Sequence, residues 1–303
     1  MKHKNVFLFP AFVLRYSGNE VDVLEKNGIS LNDKLSLISQ VCQIDVTSFN
    51  IDNNNFLNEE LKNQLMTYVF SCSYSDILRN KDIQSHTVAG LSMGLYAAMY
   101  SASVISFSDG VLLIKRVFDV LKQITGSNEF SMLNIVGLSK QDILQILKEN
   151  HLNCEVVIQN GEVSFIVSGY TSEINRLKEL ATFEGALYTS LFPVSIPYHS
   201  SHIMEFRNYE VDLLHGIEIN KAQCKIMSAV TGTYLQDEKS MYNEIVKNLI
   251  TPINWQNVFE SLNAENETVF YECGPGNSMQ KISKFLNGDF SVMNPASESN
   301  VKC

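Results

Sequence analysis

The sequence predicts an α/β protein in which a smaller unit is inserted into a larger one. Short apolar runs alternate with helical patterns along the 303 residues, which is typical of a sheet covered by helices. One such run, residues 87–90, ends at a glycine and is followed at once by a helix of small residues over 93–103. A block of strand and helix patterns over 126–196 has an order of its own.

The larger unit begins with an apolar strand at residues 6–9 and continues through a long, mostly helical region. A further helix, over 108–125, repeats its apolar residues about every 3.6 positions, which predicts one buried face. We assign residues 1–125 and 197–290 to this unit. The Asn- and Ser-containing segment 291–303 is expected to fray.

The inserted unit has the order β-α-β-β-α-β, which predicts a ferredoxin-like subdomain. Ser139 and Asp142 have the spacing of a helix N-cap and its first turn. Asn160 and Gly161 stand between two strand patterns and predict a hairpin turn. The other expected elements are strands 132–137, 155–159, 164–168 and 186–194 and a helix over 172–183.

Composition and charge exclude several functions. The 23 basic and 33 acidic residues give a net charge of −10, which argues against binding to nucleic acid or to anionic lipid. The apolar run at the start breaks at Pro10, so no signal peptide is expected. No stretch approaches the roughly 18 uninterrupted apolar residues of a membrane span, and we infer a cytoplasmic protein. The six cysteines form no C-x-x-C pair, so no metal site is expected.

The sequence Gly-Leu-Ser-Met-Gly at residues 90–94 is a G-x-S-x-G motif between a strand and a helix. A tight turn there exposes the hydroxyl of Ser92, and the two glycines remove side chains that would block it. The backbone amide of Met93 then becomes a candidate oxyanion donor. A helix entry that packs closely on small residues would give the same pattern.

A nucleophilic serine needs a base. His199 and His202 follow a predicted strand whose exit is stiffened by Pro197, a good place to fix an imidazole. Position alone does not decide between them and the remaining histidines, which are His3, His86, His151 and His215.

Five ordered motifs give the sequence a family resemblance. Residues 90–98, GLSMGLYAA, resemble the G-H-S-x-G-E-[YF]-A-A motif of malonyl-CoA:acyl carrier protein transacylases, which include the free-standing trans-acting acyltransferases of polyketide synthases. The other matching stretches are residues 194–200, 226–232, 248–255 and 271–276. The resemblance runs from residue 6 to about residue 286. It implies a hydrolase-like large subdomain with a parallel sheet and an inserted ferredoxin-like subdomain.

The resemblance also implies roles for residues. Ser92 is the nucleophile and His199 its base, and the backbone carbonyl of Asn248, where relatives carry Gln, orients the imidazole. Arg116 matches the arginine that binds the malonyl carboxylate, and a planar guanidinium suits that task. Taken alone, without the resemblance, Arg116 is better explained as part of a solvated helix face.

Three further positions belong to the implied pocket. Asn160 falls where relatives carry an active-site asparagine, although it is equally explained as a hairpin residue. Relatives begin F-P-G-Q-G-S-Q, whereas this chain has Ala11 and Phe12, so the second oxyanion amide would come from Phe12. Leu91 replaces a histidine beside the nucleophile, which puts strict malonyl selectivity in doubt.

Three functions remain open. The favoured one is a transferase that moves a malonyl or related acyl group from coenzyme A to the phosphopantetheine thiol of an acyl carrier protein, in polyketide or fatty acid biosynthesis. The alternative is an acyl hydrolase that frees stalled carrier proteins; such relatives are expected to lack the carboxylate-binding arginine, so Arg116 favours transfer. The third, a non-catalytic scaffold that docks carriers, does not explain why both Ser92 and His199 are present. We expect a monomer that needs no cofactor beyond its thioester substrate.

Overall fold

The structure, a computed structural model, describes residues 4–53, 55–263, 268–286 and 290–295. Its strands are β1 (Lys4–Phe9), β2 (Thr87–Gly90), β3 (Phe130–Val136), β4 (Glu155–Gly161), β5 (Ser164–Tyr170), β6 (Tyr188–Phe192), β7 (Lys225–Met227), β8 (Ile253–Asn254), β9 (Thr268–Glu272) and β10 (Val292–Met293). Its α-helices are α1 (Glu20–Lys26), α2 (Leu31–Cys42), α3 (Glu60–Asn80), α4 (Gly94–Ser101), α5 (Phe107–Thr125), α6 (Lys140–Glu149), α7 (Thr171–Phe183), α8 (Glu210–Leu214), α9 (Glu238–Ile250), α10 (Trp255–Asn263) and α11 (Ser278–Ser283). A 3₁₀ segment spans Ser201–Tyr209.

The larger sheet is parallel and has the strand order β10-β9-β1-β2-β7. All four residues of β2 are buried, and β1 is buried along its last four residues, as expected of strands covered by helices on both faces. The carboxyl ends of β1 and β2 lie side by side, with Phe9 opposite Gly90. This edge is where ligands bind in open parallel sheets.

The smaller sheet has the order β6-β3-β5-β4-β8 and is antiparallel except for the β4–β8 pair. Helices α6 and α7 cover it and close a second apolar core around Leu133, Ile143, Phe165 and Leu177. Strand β8 comes from the later part of the chain and pairs Ile253 with Ile158, which ties the two units together. The predicted two-part α/β fold and its β-α-β-β-α-β insert are confirmed.

Two local expectations differ from the structure. Asn160 and Gly161 do not form the hairpin turn; they end β4, beside a register shift between Gln159 and Gly161, and the turn follows them. A Cβ on Gly161 would lie 2.4 Å from the carbonyl oxygen of Phe285, so this glycine permits a close approach of two chain segments. The prediction of a hairpin at this point was right, but its turn was placed two residues too early.

The C-terminal segment also differs from expectation. Val292–Met293 is not frayed, because it pairs with β9 as the edge strand of the larger sheet. Residues 296–303 and His3 lie outside the described part of the chain. The predicted cap at Ser139 is confirmed: its hydroxyl accepts a hydrogen bond from the amide of Asp142, whose carboxylate accepts one from the amide of Ser139.

Candidate active site

Ser92 stands in a strained turn between β2 and α4. Its φ angle is 55°, in the left-handed region that side chains other than glycine rarely adopt. A Cβ on Gly90 would lie 2.3 Å from the backbone of Gly94, and one on Gly94 would lie 2.2 Å from the carbonyl oxygen of Phe9. Both glycines are therefore required by close backbone approaches, and the turn projects the serine hydroxyl beyond the sheet edge.

His199 reaches the same point from the other side of the larger unit. Its φ is 64°, and its backbone amide donates a hydrogen bond to the carbonyl of Leu249 over 2.8 Å. The distance between Ser92 Oγ and His199 Nε2 is 2.7 Å, within the range expected for a nucleophile and its base. The structure therefore brings together the two residues that the sequence singled out, 107 positions apart.

Burial controls the proton affinity of His199. The ring is fully buried, which lowers the pKa of His199 to about 4, while the backbone carbonyls of Thr251 and Asn248 act in the opposite direction. The carbonyl of Asn248 is thus close to the imidazole, as predicted, although Nδ1 has no hydrogen-bond partner among the described residues. The imidazole is neutral near pH 7 and can accept the serine proton.

The side chain of Asn248 has a role that the sequence did not indicate. Its Nδ2 donates a hydrogen bond to the carbonyl oxygen of Ser92 over 2.8 Å, and the residue is fully buried. Helix α9, which carries Asn248, therefore holds the nucleophile turn directly. No sequence pattern shows this contact, because it joins segments 156 residues apart.

A cavity of about 420 Å³ opens in front of Ser92 and His199, between the two sheets. Leu91 and Asn160 both line it, in agreement with the pocket positions suggested by the sequence. Asn160 is 5% exposed, and its buried Oδ1 has no hydrogen-bond partner among the described residues. The cavity wall is mostly apolar, with Met132, Val136, Ile158, Ile166 and Phe192 among its residues. Three basic residues at its exposed rim are Arg15, Lys281 and Lys284.

A second, much smaller pocket of about 20 Å³ also borders Ser92. Its lining residues are Phe12, Gln64, Ser92, Met93, Tyr96, Ile114, Val117, Tyr198 and Leu249. Phe12 lines both spaces, and its ring makes an edge contact with Phe192 at 5.7 Å between centroids. Phe12 and Met93, whose amides are the candidate oxyanion donors, are therefore beside the nucleophile.

Arg116 does not reach either space. Its guanidinium Nη1 donates hydrogen bonds to the carbonyls of Leu213 and His215 over 2.9 and 2.7 Å, at the end of α8. The next residue of α5, Val117, is the one that faces Ser92. Successive helical residues point about 100° apart, so a shift of one position turns the side chain away from the pocket. The expected placement of Arg116 against the substrate is therefore not what the structure shows.

A polar network behind the smaller pocket was also missed from the sequence. The hydroxyl of Tyr198 donates to Glu60 Oε1 over 2.9 Å and accepts from Gln64 Nε2 over 2.7 Å. The amide and hydroxyl of Ser195 both donate to Glu60 Oε2. Glu60 thus ties the 194–200 segment to α3. The only sequence signal was that Ser195 and Tyr198 belong to the motif around His199.

In the described part of the chain, no group of three or more His, Cys, Asp and Glu side chains is arranged to hold a metal ion. A search of the same residues finds no helix that is both long and apolar enough to span a membrane.

Comparisons with known proteins agree with this architecture. No family model matches the chain. The malonyl CoA-acyl carrier protein transacylase of Synechocystis is 25% identical over 85% of this chain and 83% of its own length. The transacylase of the same name from Bacillus subtilis is 24% identical over 66% of this chain, and the match spans 64% of that relative's length.

The solved structures share the whole fold. The malonyl-CoA:acyl carrier protein transacylase of Xanthomonas oryzae superposes with a TM-score of 0.85 at 16% identity, over 99% of this chain and 96% of the other. A malonyl-transacylase solved in complex with a type II polyketide synthase acyl-carrier protein superposes with a TM-score of 0.80 at 19% identity. This match covers 96% of this chain and 95% of the other. The chain therefore has the fold of malonyl-CoA:acyl carrier protein transacylases and resembles such relatives in sequence at 24–25% identity.

Proposed function

We propose that the protein is an acyltransferase that carries a malonyl or related acyl group from coenzyme A to the thiol of an acyl carrier protein, through an ester on Ser92. The observation that carries this proposal is the 2.7 Å contact between Ser92 Oγ and a buried, neutral His199 at the inner end of a cavity of about 420 Å³. The names of its relatives supply the thioester donor and the carrier acceptor.

In the first half-reaction, Ser92 Oγ attacks the thioester carbonyl while His199 Nε2 takes the hydroxyl proton. The backbone amides of Met93 and Phe12 are the proposed donors to the oxyanion. Collapse of the tetrahedral intermediate breaks the carbon–sulfur bond, and His199 returns the proton to the departing coenzyme A thiolate. The second half-reaction reverses these steps with the carrier thiol as attacking group, and restores Ser92.

The neutral state of His199 suits both directions of proton transfer. An imidazole with a pKa of about 4 is unprotonated near pH 7, so it is ready to accept the serine proton. Once protonated, the buried imidazolium is a stronger acid than an imidazolium in water, so it returns the proton readily to the leaving thiolate. A carboxylate partner for Nδ1 is not needed in this cycle, because the carbonyls of Asn248 and Thr251 lie near the ring.

One observation favours hydrolysis as a second candidate. Arg116 was the residue expected to separate a transferase from an acyl hydrolase, and its guanidinium is bound to the carbonyls of Leu213 and His215 instead of facing the cavity. Transfer is still preferred, because Phe12 and Phe192 meet in an apolar wall that limits the access of water to the ester.

The test follows the acyl-enzyme by intact-protein mass spectrometry. The enzyme is loaded with an acyl-CoA, freed from excess donor, and divided between buffer and buffer with a holo-carrier protein. Transfer predicts an ester that persists in buffer, disappears when the carrier is added, and is recovered as acyl-carrier. Rapid loss in buffer, or release of free acid from an acyl-carrier, would establish the hydrolase instead. An apo-carrier without its thiol is the matched control.

A further inference from the structure

We propose that the acyl group carried by Ser92 is short and uncharged, of acetyl or propionyl type, and that malonyl is loaded poorly. The inference rests on the proposed function and names the class of acyl group that the site selects.

The acyl group must lie where it does not block the two thiol-bearing arms. Two thiol-bearing arms occupy the active site one after the other, and both must reach Ser92 through the open cavity of about 420 Å³. The acyl group stays on Ser92 while these arms exchange. It therefore belongs in space that the arms do not use, and the small pocket, which also borders Ser92, is such a space.

The volume of the small pocket limits the size of the acyl group. The small pocket has a volume of about 20 Å³, little more than the ~10–15 Å³ that one water needs by this kind of measure. That space suits the methyl of an acetyl group, or the ethyl of a propionyl group after a small side-chain adjustment. Malonyl adds a carboxylate to the acetyl methyl, and Val117 and Ile114, which are 4% and 1% exposed, form the wall it would meet.

The residues that line the small pocket also disfavour a charged acyl group. None of the described residues that line the small pocket is charged. Arg116 points away, and the carboxylate of Glu60 lies directly behind the Tyr198 hydroxyl, so the nearest charge on that side is negative. The hydroxyl of Tyr96, another lining residue, is buried, neutral and without a partner among the described residues. A buried carboxylate without a cationic partner is strongly disfavoured.

The basic residues elsewhere in the site do not offset this. Arg15, Lys281 and Lys284 line the open cavity and are exposed to solvent. Their position at the rim suits the phosphate groups of the incoming arms, which are charged and solvated themselves. Arg15 remains the rival partner for a carboxylate that lies in the open cavity, and the experiment must test it.

The experiment compares the initial rates of acyl-enzyme formation from acetyl-, propionyl-, butyryl- and malonyl-CoA at equal concentration, by intact mass. We expect acetyl and propionyl to load at least about 100-fold faster than malonyl, as an unpaired buried carboxylate implies. Val117→Ala widens the small pocket and should raise the butyryl-to-acetyl ratio. Arg116→Gln should leave every rate unchanged, and Arg15→Gln should lower all CoA donors together without changing their ratios.

Each contrary result has a distinct meaning. Malonyl loading that equals or exceeds acetyl loading overturns the inference and leaves the acyltransferase in place; a selective loss of malonyl in Arg116→Gln or Arg15→Gln would then identify the cation. An unchanged butyryl-to-acetyl ratio in folded Val117→Ala would show that the acyl group lies elsewhere. If Val117→Ala does not fold, the wild-type donor series still decides. Failure of all four donors to label Ser92 would overturn the proposed function and this inference with it.

Discussion

At the scale of single residues, the site depends on a serine and a histidine that both adopt a positive φ. Ser92 is at 55° and His199 at 64°, and non-glycine residues in this region cost free energy that the surrounding structure must supply. Gly90 and Gly94 make this possible for Ser92, because each faces backbone atoms closer than any Cβ tolerates. Such strain is a common feature of nucleophiles at strand-to-helix turns.

The pKa of His199 leads to a first prediction. Burial lowers that pKa from 6.5 to about 4, so the imidazole remains an effective base as the pH falls through 6. The rate of acyl-enzyme formation should therefore stay nearly constant down to about pH 5 and fall only toward pH 4. Single-turnover loading across this range measures it. His202→Gln, which removes a histidine that packs on Phe130 and Tyr170, should leave the profile unchanged. An inflection near 6.5 would contradict the assignment.

The pairing of Ser92 with His199 was predictable because the signals of both residues are local. A glycine-framed serine after a short strand has one structural meaning, and the segment around His199 carries a recognisable motif. The direction of the Arg116 side chain was harder to predict. Side chains of successive helical residues point about 100° apart, so an error of one position in the match moves the side chain to another face of the helix. The second role of Asn248 and the network of Glu60 depend on contacts between distant segments, which a single sequence does not show.

At the scale of elements, helix α9 positions both halves of the pair. The carbonyl of Leu249 accepts from the amide of His199, and Asn248 Nδ2 donates to the carbonyl of Ser92. One turn of one helix therefore sets the distance between nucleophile and base.

Asn248→Ala should slow acyl-enzyme formation more than it weakens donor binding. The change removes a buried hydrogen bond worth about 1–3 kcal/mol and leaves the Ser92 carbonyl without that donor. We expect roughly a 10- to 100-fold lower kcat for loading, with a nearly unchanged KM. Steady-state kinetics and a thermal melt check this together. A loss of thermal stability without any change in kcat would show that Asn248 has a purely structural role.

Helix α11 is held by the carboxylate of Glu272 at the end of β9. The carboxylate accepts from the amides of Met279 and Gln280 and from the hydroxyl of Ser278. Burial is the main cause that raises the pKa of Glu272 to about 7, and the hydrogen bonds act against it. Since α11 contributes Met279 and Lys281 to the cavity wall, this contact also shapes the site.

Glu272→Ala should lower the free energy of unfolding by about 2 kcal/mol, because it leaves buried donors unpaired. The sign of the pH dependence follows from the raised pKa. An acid whose folded pKa exceeds its unfolded value contributes most below the unfolded pKa of 4.5 and less as the pH rises through 7. The loss should therefore be larger near pH 5 than near pH 8. Denaturant unfolding at both values measures it. Glu260→Ala, on the exposed face of α10, is the control and should change stability little. A larger loss near pH 8 would contradict this reading.

At the scale of the whole molecule, the candidate site lies between two sheets with separate cores. The β4–β8 pair and the contact of Phe12 with Phe192 join the two units on either side of the cavity. The larger unit supplies Ser92 and His199, and the smaller one supplies Asn160 and much of the apolar wall. This division allows residues of the smaller unit to change the cavity while the Ser92–His199 contact stays the same.

Phe12 allows a test of how the contact between the two units protects the ester on Ser92 from water. The sequence left its orientation open, and the structure turns its side chain toward both the cavity and the small pocket. Phe12→Ala should admit water to the ester and shorten the lifetime of the acyl-enzyme in buffer several-fold, with a smaller effect on loading. Leu144→Ala, a change at an exposed side chain of α6 that lines neither pocket, is the control. An unchanged lifetime in Phe12→Ala would show that other residues exclude the water.

The most direct test of the central claim is the mass of the protein after exposure to an acyl-CoA, compared between wild type and Ser92→Ala. Wild type should gain one acyl group, located by peptide mapping on the segment that contains Ser92. Ser92→Ala should gain none, and His199→Ala should gain it far more slowly because the base is absent. An acyl mass that persists on folded Ser92→Ala would contradict the account.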